Sequence, residues 1–381
     1  MRPMENPFIF GEIVKQRHFV DREKELQSLT RDLADGQKLF LLSPRRFGKS
    51  SLVSLALLKL EKRYIRTVNI TVSSYANYEQ FLEKFTERVL RAAGPWERVK
   101  ELVGRFIQRV QPTITLNPAS GETSISFSRS VGADASVLAA DVFAMPAEIA
   151  KNGGFRMAIC LDEFQQIELF GGPAVENVLR NEVQKQRNIG YVFSGSQPSL
   201  MEQILSAGRP FHKAGPAMFL EKIPAPVWHD FIKTQFRNRR RKITVEALNR
   251  LVSAADLIPY DVQRIAHELW DYAELKNKVQ LDTADVDAVV EELVGGQAEY
   301  FERLWEQLTS RQRAVLQALS QHGPANLLSH AGREQYRLGP ASTVQKALQA
   351  LDAQDILDRY HGDYFFVDPL FAIWIRKSID A

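Results

Sequence analysis

Residues 43–50, SPRRFGKS, restrict the fold of this chain more than any other segment. The short apolar run Lys38–Leu42 precedes them, and residues 50–58 form a stretch of helical length after them. A Gly-Lys-Ser sequence between a strand and a helix matches the P-loop pattern, except that Ser43 replaces its first glycine. A second apolar run follows at residues 67–72. Strand, loop, helix and strand in this order predict a parallel α/β sheet.

The residue types of this loop suit the binding of a nucleoside triphosphate with Mg²⁺. Gly48 lets the backbone come close to the phosphates, so that amide groups can surround them. The N-terminal end of the following helix attracts the same anion. We expect Lys49 to reach the β- and γ-phosphates and the Ser50 hydroxyl to bind the metal ion. A Gly-Lys-Ser turn that begins a helix by chance is the alternative interpretation.

Two carboxylates, Asp162 and Glu163, follow a later apolar run at residues 155–161. Parallel sheets bind ligands at the carboxyl ends of their strands, so Asp162 would face the Mg²⁺. Glu163 could orient or activate the attacking water, which favours hydrolysis over binding alone. The alternative is a strand that ends in a solvated acidic turn. The predicted metal ligands are Ser50 and Asp162.

Polar side chains also end the strand predicted at residues 189–194. Ser194 or Ser196, with Gln197 behind them, could sense the γ-phosphate or hold a water molecule. Ordinary turn chemistry at a strand end would explain these residues equally well. The predicted catalytic residues are Lys49, Asp162, Glu163 and Ser196.

The composition is that of an ordinary globular protein. A net charge of only +3 permits a nucleic-acid partner without requiring one. The single cysteine, Cys160, lies in an apolar run, which indicates a core residue and excludes an intrachain disulfide or a thiolate zinc site. We see no secretory signal and no apolar run long enough to cross a bilayer. We therefore expect a cytoplasmic protein without a membrane partner.

The rest of the chain divides by its patterns. Alternation on both sides of Ser120-Gly121 predicts a hairpin-like insertion at residues 112–135, of unknown role. Asp21 could cap a helix through residues 22–29. Helical patterns begin again near residue 223, and among them Asp282 could cap a helix that Gly295-Gly296 ends. We predict a P-loop core at residues 1–222, a helical lid at 223–300 and a winged helix domain at 301–381.

The winged helix is predicted from the order of elements near the C-terminus. Thr309 could cap one helix, and a second amphipathic helix follows through Val344 and Leu351. Two short strands, at residues 356–360 and 364–367, then flank the tight-turn sequence His361-Gly362-Asp363.

Several segments together resemble the archaeal-type P-loop ATPases of the AAA+/STAND group, found in archaea and bacteria. These segments are FVDRE at 19–23, SPRRFGKSSL at 43–52, LDEFQ at 161–165, FSGSQPSLM at 193–201, PYDVQRIAHELW at 259–270 and the winged helix pattern. The resemblance covers nearly the whole chain. It implies an AAA+-like parallel sheet, an all-α lid and a C-terminal winged helix, with ATP and Mg²⁺ as cofactors. The preference for ATP over GTP rests on this resemblance.

The resemblance also implies roles for residues outside the P-loop. Phe19, Val20 and Arg22 would lie near the adenine, and Arg264 would lie near the sensor-2 region of the lid. The family often has Gly-Arg soon after the sensor-1 strand. Here Arg209 is shifted from that place, and it is either an arginine finger or a solvated loop residue. The implied nucleotide-binding residues are Phe19, Val20, Arg22, Pro44, Arg45, Arg46, Phe47, Gly48, Lys49, Ser50, Ser51 and Arg264.

Two features leave a DNA partner open. The basic run at residues 237–242 could contact nucleic-acid phosphates or form a solvated helix end. The second winged-helix helix could contact DNA or report the nucleotide state inside the molecule. Its candidate DNA-contacting residues are Thr343, Gln345, Lys346 and Gln349.

Two functions follow from these motifs. The first is an ATPase that acts as a molecular switch, in which the lid and the winged helix pass on the nucleotide state. The second is an ATP-gated DNA-binding module with little hydrolysis. A protein partner or self-assembly is compatible with both.

Overall fold

The computed structural model describes residues 6–14, 18–95, 113–116, 123–126, 135–324 and 327–380. Their contacts form two compact units, which are described separately. The sheet unit comprises Arg22–Ser43 and Leu52–Leu220. The helical unit comprises the described residues of Met1–Asp21, Pro44–Ser51 and Glu221–Ala381. The predicted domain boundaries, at residues 222 and 300, stay a prediction.

A parallel sheet forms the centre of the sheet unit. Its strands are β1 Lys38–Leu42, β2 Arg66–Thr71, β5 Met157–Asp162, β6 Ile189–Gly195 and β7 Ala217–Phe219. The strand order is β2-β5-β6-β1-β7, and every neighbouring pair is parallel. Strands β1, β5 and β6 are buried along nearly their whole length, as continuous apolar strands of a parallel sheet are. The predicted parallel α/β sheet is therefore confirmed.

The described helices of this unit precede the first strand or lie between strands in the chain. They are α1 Glu23–Ala34, α2 Lys49–Glu61, α3 Tyr78–Ala93, α4 Ala135–Gly153, α5 Pro173–Val183 and α6 Pro198–Leu205. A 3₁₀ helix, Phe164–Phe170, follows β5. The interpretation of Asp21 as the cap of α1 is wrong. Asp21 and Arg22 both have left-handed backbones, with φ of 57° and 72°, and Arg22 occupies the N-cap position without a side-chain cap.

The predicted hairpin-like insertion contains two short strands. These strands, β3 Thr113–Leu116 and β4 Thr123–Ser126, pair in antiparallel fashion. The other residues between 112 and 134 lie outside the described residues.

Helices dominate the middle of the helical unit. They are α7 Ala225–Asn238, α8 Val245–Ala254, α9 Pro259–Leu275, α10 Thr283–Gly295 and α11 Ala298–Glu306, with a short parallel pair, β8 Lys242–Ile243 and β9 Gln280–Leu281. Asp282 caps α10 in a capping box with Asp285, as the sequence predicts. These helices bury a continuous apolar core that includes Phe8 and Val20.

The C-terminal part has the elements of a winged helix. They are α12 Ser310–His322, α13 His330–Gln335, α14 Ala341–Ala353, β10 Leu357–Tyr360, β11 Asp363–Phe366 and α15 Pro369–Asp380. Thr309 caps α12 in a capping box with Gln312. We call the antiparallel pair β10–β11 the wing. His361 and Gly362 join its strands with φ of 52° and 88°, the positive angles of a two-residue turn that matches the strand twist.

No helix among the described residues is both long enough and apolar enough to cross a membrane.

Candidate nucleotide site

The P-loop links β1 to α2. Gly48 has a φ of 88°, a left-handed conformation that suits glycine, and Arg46 also has a positive φ of 68°. Ser43 has no such requirement, because its φ is not positive. Its amide instead donates to the Gly195 carbonyl at 3.3 Å, which continues the ladder between β1 and β6. The absence of the first glycine of the pattern is therefore compatible with this backbone.

Lys49 and Ser50, predicted to hold phosphate and metal, lie in the first turn of α2. This is the end of a helix where backbone amide groups lack partners within the helix. Lys49 is buried and Ser50 is exposed. Ser51 has a different contact, since its hydroxyl accepts a hydrogen bond from the Val14 amide at 3.0 Å. The structure thus ties the start of α2 to the N-terminal segment.

The middle of the P-loop contacts the lid helices and the winged helix. Arg45 forms an ion pair with Asp355 at 2.8 Å. Arg46 lies 3.4 Å from both Asp261 and Asp368. Phe47 is buried against aromatic rings of the wing. Sequence reasoning missed these carboxylates, which lie more than 200 positions along the chain from the arginines.

Asp162 ends strand β5 and Glu163 follows it, and the two carboxylates have different partners. Asp162 Oδ1 accepts a hydrogen bond of 2.6 Å from the Ser194 hydroxyl on β6. Glu163 has a left-handed backbone, with φ of 53°, at the start of the 3₁₀ helix. Its Oε2 accepts a 2.6 Å hydrogen bond from the Ser196 hydroxyl. The two serines considered as sensors therefore each hold one of the two carboxylates.

Gln165 is a second donor to Glu163 that sequence reasoning missed. Its Nε2 donates to Glu163 Oε2 at 2.6 Å, and its side chain is almost fully buried. A methyl group at Gly195 would lie 2.7 Å from Gln165 Oε1, so this glycine leaves room for the amide beside β6. The signal available in the sequence was a polar residue two positions after the acidic pair.

Three neighbouring strands thus present polar groups at one edge of the sheet. Strand β6 lies between β1 and β5 and is parallel to both, so the carboxyl ends of all three strands lie at the same edge of the sheet. Ser43 follows β1, the acidic pair ends β5, and Ser196 follows β6. Carboxylate and hydroxyl oxygens are ligands that Mg²⁺ accepts, so the residue types of Ser50 and Asp162 fit this ion.

Arg264 lies on the helix that contacts the P-loop. Helix α9 begins at Pro259, and its Tyr260 amide donates to the Arg46 carbonyl at 3.2 Å. Asp261 is fully buried, and burial raises its pKa to about 7 although Arg46 and Arg264 attract its charge. The predicted position of Arg264 near the nucleotide stays a prediction.

The residues predicted near the adenine have varied surroundings. Val20 is buried in the core of the helical unit, and Phe19 is half-buried. Arg22 is almost fully buried and forms an ion pair with Glu25 at 3.2 Å. Their contact with a base stays a prediction.

Arg209 is not a solvated loop residue. Its guanidinium pairs with Glu168 and Glu176, and only 16% of its side chain is exposed. Burial raises the pKa of Glu176, and the hydrogen bond from Arg209 opposes that shift. Within the sheet unit Arg209 therefore compensates a buried carboxylate.

The basic run is partly neutralised. Arg239 and Arg241 both pair with Glu274, at 3.4 and 2.6 Å. Arg237, Arg240 and Lys242 are exposed at and after the end of α7.

Comparison with known proteins supports the same architecture. Residues 299–377 match the family model described as a probable winged helix domain. Comparison with curated protein sequences gives no match.

Solved structures of similar fold cover almost the whole chain. The Walker-type ATPase PABY2304 of Pyrococcus abyssi aligns with a TM-score of 0.61 and 16% identity, over 95% of this chain and 97% of that one. The ORC2 protein of Aeropyrum pernix, in its ADPNP–ADP complexes, aligns with a TM-score of 0.52 and 11% identity, over 98% and 100%. Its ADP form gives the same TM-score and identity, over 98% of each chain. The chain thus has the fold of archaeal Walker-type ATPases, with a winged helix domain at its C-terminal end.

Proposed function

We propose that this chain binds ATP with Mg²⁺ and hydrolyses it as a molecular switch. The observation that supports this most is the doubly hydrogen-bonded Glu163 next to Asp162, on the same sheet edge as the start of the P-loop. A protein that only binds nucleotide has no need of a second acid held in this way.

Each residue has a defined task in this proposal. The amides around Gly48 and the Lys49 ammonium hold the phosphates, while Ser50 and Asp162 hold the metal ion. Bound Mg²⁺ would neutralise charge that develops on the phosphate oxygens. Glu163 orients a water molecule and accepts its proton, and Ser196 and Gln165 keep the carboxylate in place.

The switch itself would use the helical unit. Arg46 is bonded to the first residues of α9 and to the winged helix, so a change in the P-loop reaches both without an intermediate. A ligand shifts such an equilibrium only through contacts that differ between two states, and the arginine contacts are candidates for that difference.

ATP turnover and ATP binding together test this function. We expect Mg²⁺-dependent turnover by the unaltered chain, its loss in Glu163→Gln with ATP still bound, and loss of binding in Lys49→Ala. Lys59→Ala, at the other end of α2, and Glu202→Gln on α6 are the matched controls. Absence of nucleotide binding by the unaltered chain would overturn the proposal.

A DNA-binding role is the second candidate, and one observation favours it. Helix α14 exposes Gln345, Lys346 and Gln349, while Thr343 is half-buried. Exposed Arg311 lies against the turn before this helix, because a methyl group at Gly339 would be 3.6 Å from its guanidinium. This face therefore combines cations with amide side chains that can contact bases.

Binding of a fluorescent duplex, measured between about 50 and 200 mM salt, tests the second candidate. We expect affinity to fall with salt, and the paired variant Arg311→Ala, Lys346→Ala to reduce both the affinity and the salt slope. Lys377→Ala on α15 is the control. Affinity that is equal in the paired variant and the control would exclude this face as the DNA contact.

A further inference from the structure

The two arginines of the P-loop hold the open end of the wing, where β10 begins and β11 ends. Asp355 precedes β10 and pairs with Arg45 at 2.8 Å. Asp368 follows β11 and lies 3.4 Å from Arg46. Arg46 also donates to the Val367 carbonyl at 3.1 Å. The two arginines therefore hold the two strands of the wing at the same, open end.

Phe47 packs against the aromatic side chains of the wing. Its side chain is 1% exposed, and its ring centroid lies 5.7 Å from that of Tyr360 and 6.0 Å from that of Phe365. Burial of an aromatic side chain in such a contact contributes to stability beyond the ion pairs themselves. The wing thus makes an apolar contact as well as charged contacts with the middle of the P-loop.

Glu221 and Lys222 also contact the wing. The Lys222 ammonium lies 5.6 Å from the Tyr360 ring and 5.5 Å from the Phe365 ring. The Lys222 amide donates to the Tyr360 hydroxyl at 3.1 Å. Glu221 accepts from that hydroxyl and lies 2.7 Å from His361 Nε2. The aromatic rings of the wing therefore contact both Lys222 and Phe47.

Arg46 also forms an ion pair with a carboxylate outside the winged helix. Asp261 of α9 lies 3.4 Å from Arg46 Nη1. The Arg46 guanidinium carbon also lies over the Tyr260 ring, 4.9 Å from the ring centroid. Two carboxylates on one guanidinium, and one on Arg45, leave little positive charge in this part of the P-loop. The arginines are therefore engaged by protein carboxylates in the way that they would engage a phosphate group.

We propose that the wing is a clasp on the P-loop and competes with nucleotide phosphates for Arg45 and Arg46. This inference rests on the proposed nucleotide site and specifies how that site is regulated. A triphosphate draws the two guanidinium groups away from Asp355 and Asp368, so nucleotide binding loosens the wing. By reciprocity, a docked wing weakens nucleotide binding.

Charge-neutral variants of the wing carboxylates test the clasp. We compare the ATP dissociation constants of the unaltered chain, Asp355→Asn, Asp368→Asn and the double variant. The double variant is expected to bind ATP about 3- to 10-fold more tightly, since both arginines lose their competitors. Asp363→Asn is the matched control, because Asp363 lies in the wing and is exposed, and no ion pair to it occurs within the described ranges.

Hydrogen exchange of residues 357–366 supplies a second measurement. In the unaltered chain, Mg²⁺ with a non-hydrolysable ATP analogue should speed exchange in the wing. In the double variant, exchange should be fast without nucleotide. Asp355 is 40% exposed, so Asp355→Asn alone keeps the test valid if Asp368→Asn unfolds the domain.

The outcomes separate the clasp from the nucleotide site. If the unaltered chain binds and hydrolyses ATP, but the double variant matches Asp363→Asn in affinity and wing exchange, the clasp is wrong and the proposed function stands. If the unaltered chain binds no nucleotide, both are wrong. Weaker ATP binding in the folded double variant would also overturn the clasp, because it would show that the wing supports nucleotide binding.

Discussion

Gln165 donates a 2.6 Å hydrogen bond to Glu163 from a position two residues further along the chain. The left-handed backbone of Glu163 turns the chain at the end of β5 and starts the 3₁₀ helix that carries Gln165. Ser196 donates to the same carboxylate oxygen from the neighbouring strand. The Glu163 side chain is therefore oriented by one local contact and one contact between strands.

We expect Gln165→Leu to lower the turnover number for ATP about 10-fold, with little change in ATP affinity. The reason is that the carboxylate loses an orienting donor while the residues proposed to bind phosphate stay intact. Turnover number and dissociation constant, measured separately, check this prediction. Gln166→Leu, one residue away, is the control. Equal losses in both variants would show a general effect on the 3₁₀ helix.

Ser194→Ala tests the support of Asp162. The Ser194 hydroxyl donates to Asp162 Oδ1 at 2.6 Å from inside the sheet, where it is fully buried. Loss of a hydrogen bond to a metal-binding carboxylate typically weakens metal affinity by roughly 10-fold or more. We expect the Mg²⁺ concentration for half-maximal turnover to rise by that factor.

The comparison for this variant is Ser196→Ala, which should lower turnover without changing the Mg²⁺ dependence. The two serines differ in the carboxylate that they contact, so identical Mg²⁺ titrations would contradict the assignment of Ser194 to Asp162.

The buried carboxyl group of Asp261 predicts a pH dependence of stability. Burial raises its pKa from 3.8 to about 7, so ionisation opposes folding by roughly 4 kcal/mol at most, at 1.36 kcal/mol per pKa unit. By linkage, this loss of folding stability is absent below pH 4, where Asp261 is protonated in both states, and complete above pH 7. Arg46, Arg264 and Asp368 face this group and remain in both proteins compared.

Urea unfolding of the unaltered chain and Asp261→Asn between pH 4 and pH 8 measures this effect. We expect the variant to gain stability relative to the unaltered chain as pH rises from 4 to 7. A difference that does not change with pH would contradict a raised pKa for Asp261.

Arg209→Ala should destabilise the sheet unit by roughly 3–5 kcal/mol, because it leaves the buried Glu176 without its partner. Adding Glu176→Gln should recover much of that loss by removing the unpaired charge. Thermal unfolding of both variants checks the prediction, with exposed Arg187→Ala as the control. Stability equal to that of the control, together with lost turnover, would instead favour a catalytic arginine.

Local patterns were sufficient for much of this fold. The strand Lys38–Leu42, the capping residues Asp282 and Thr309, and the wing turn at His361-Gly362 all lie where the sequence predicts them. Each depends on residues within a few positions of one another, and their chemistry is therefore visible in a short window. Asp21 is the exception, since the left-handed backbone at Asp21 and Arg22 moves the cap position by one residue.

The partners of the site residues could not be predicted in this way. Which serine contacts Asp162 and which contacts Glu163 depends on β6 lying beside β5, and strand order is a property of the whole sheet. The carboxylates on Arg45 and Arg46 come from segments hundreds of residues away. A guanidinium selects its partner by the charge and geometry that folding brings to it. The sequence alone therefore predicts a phosphate-binding loop, and tertiary structure decides that the wing binds its arginines.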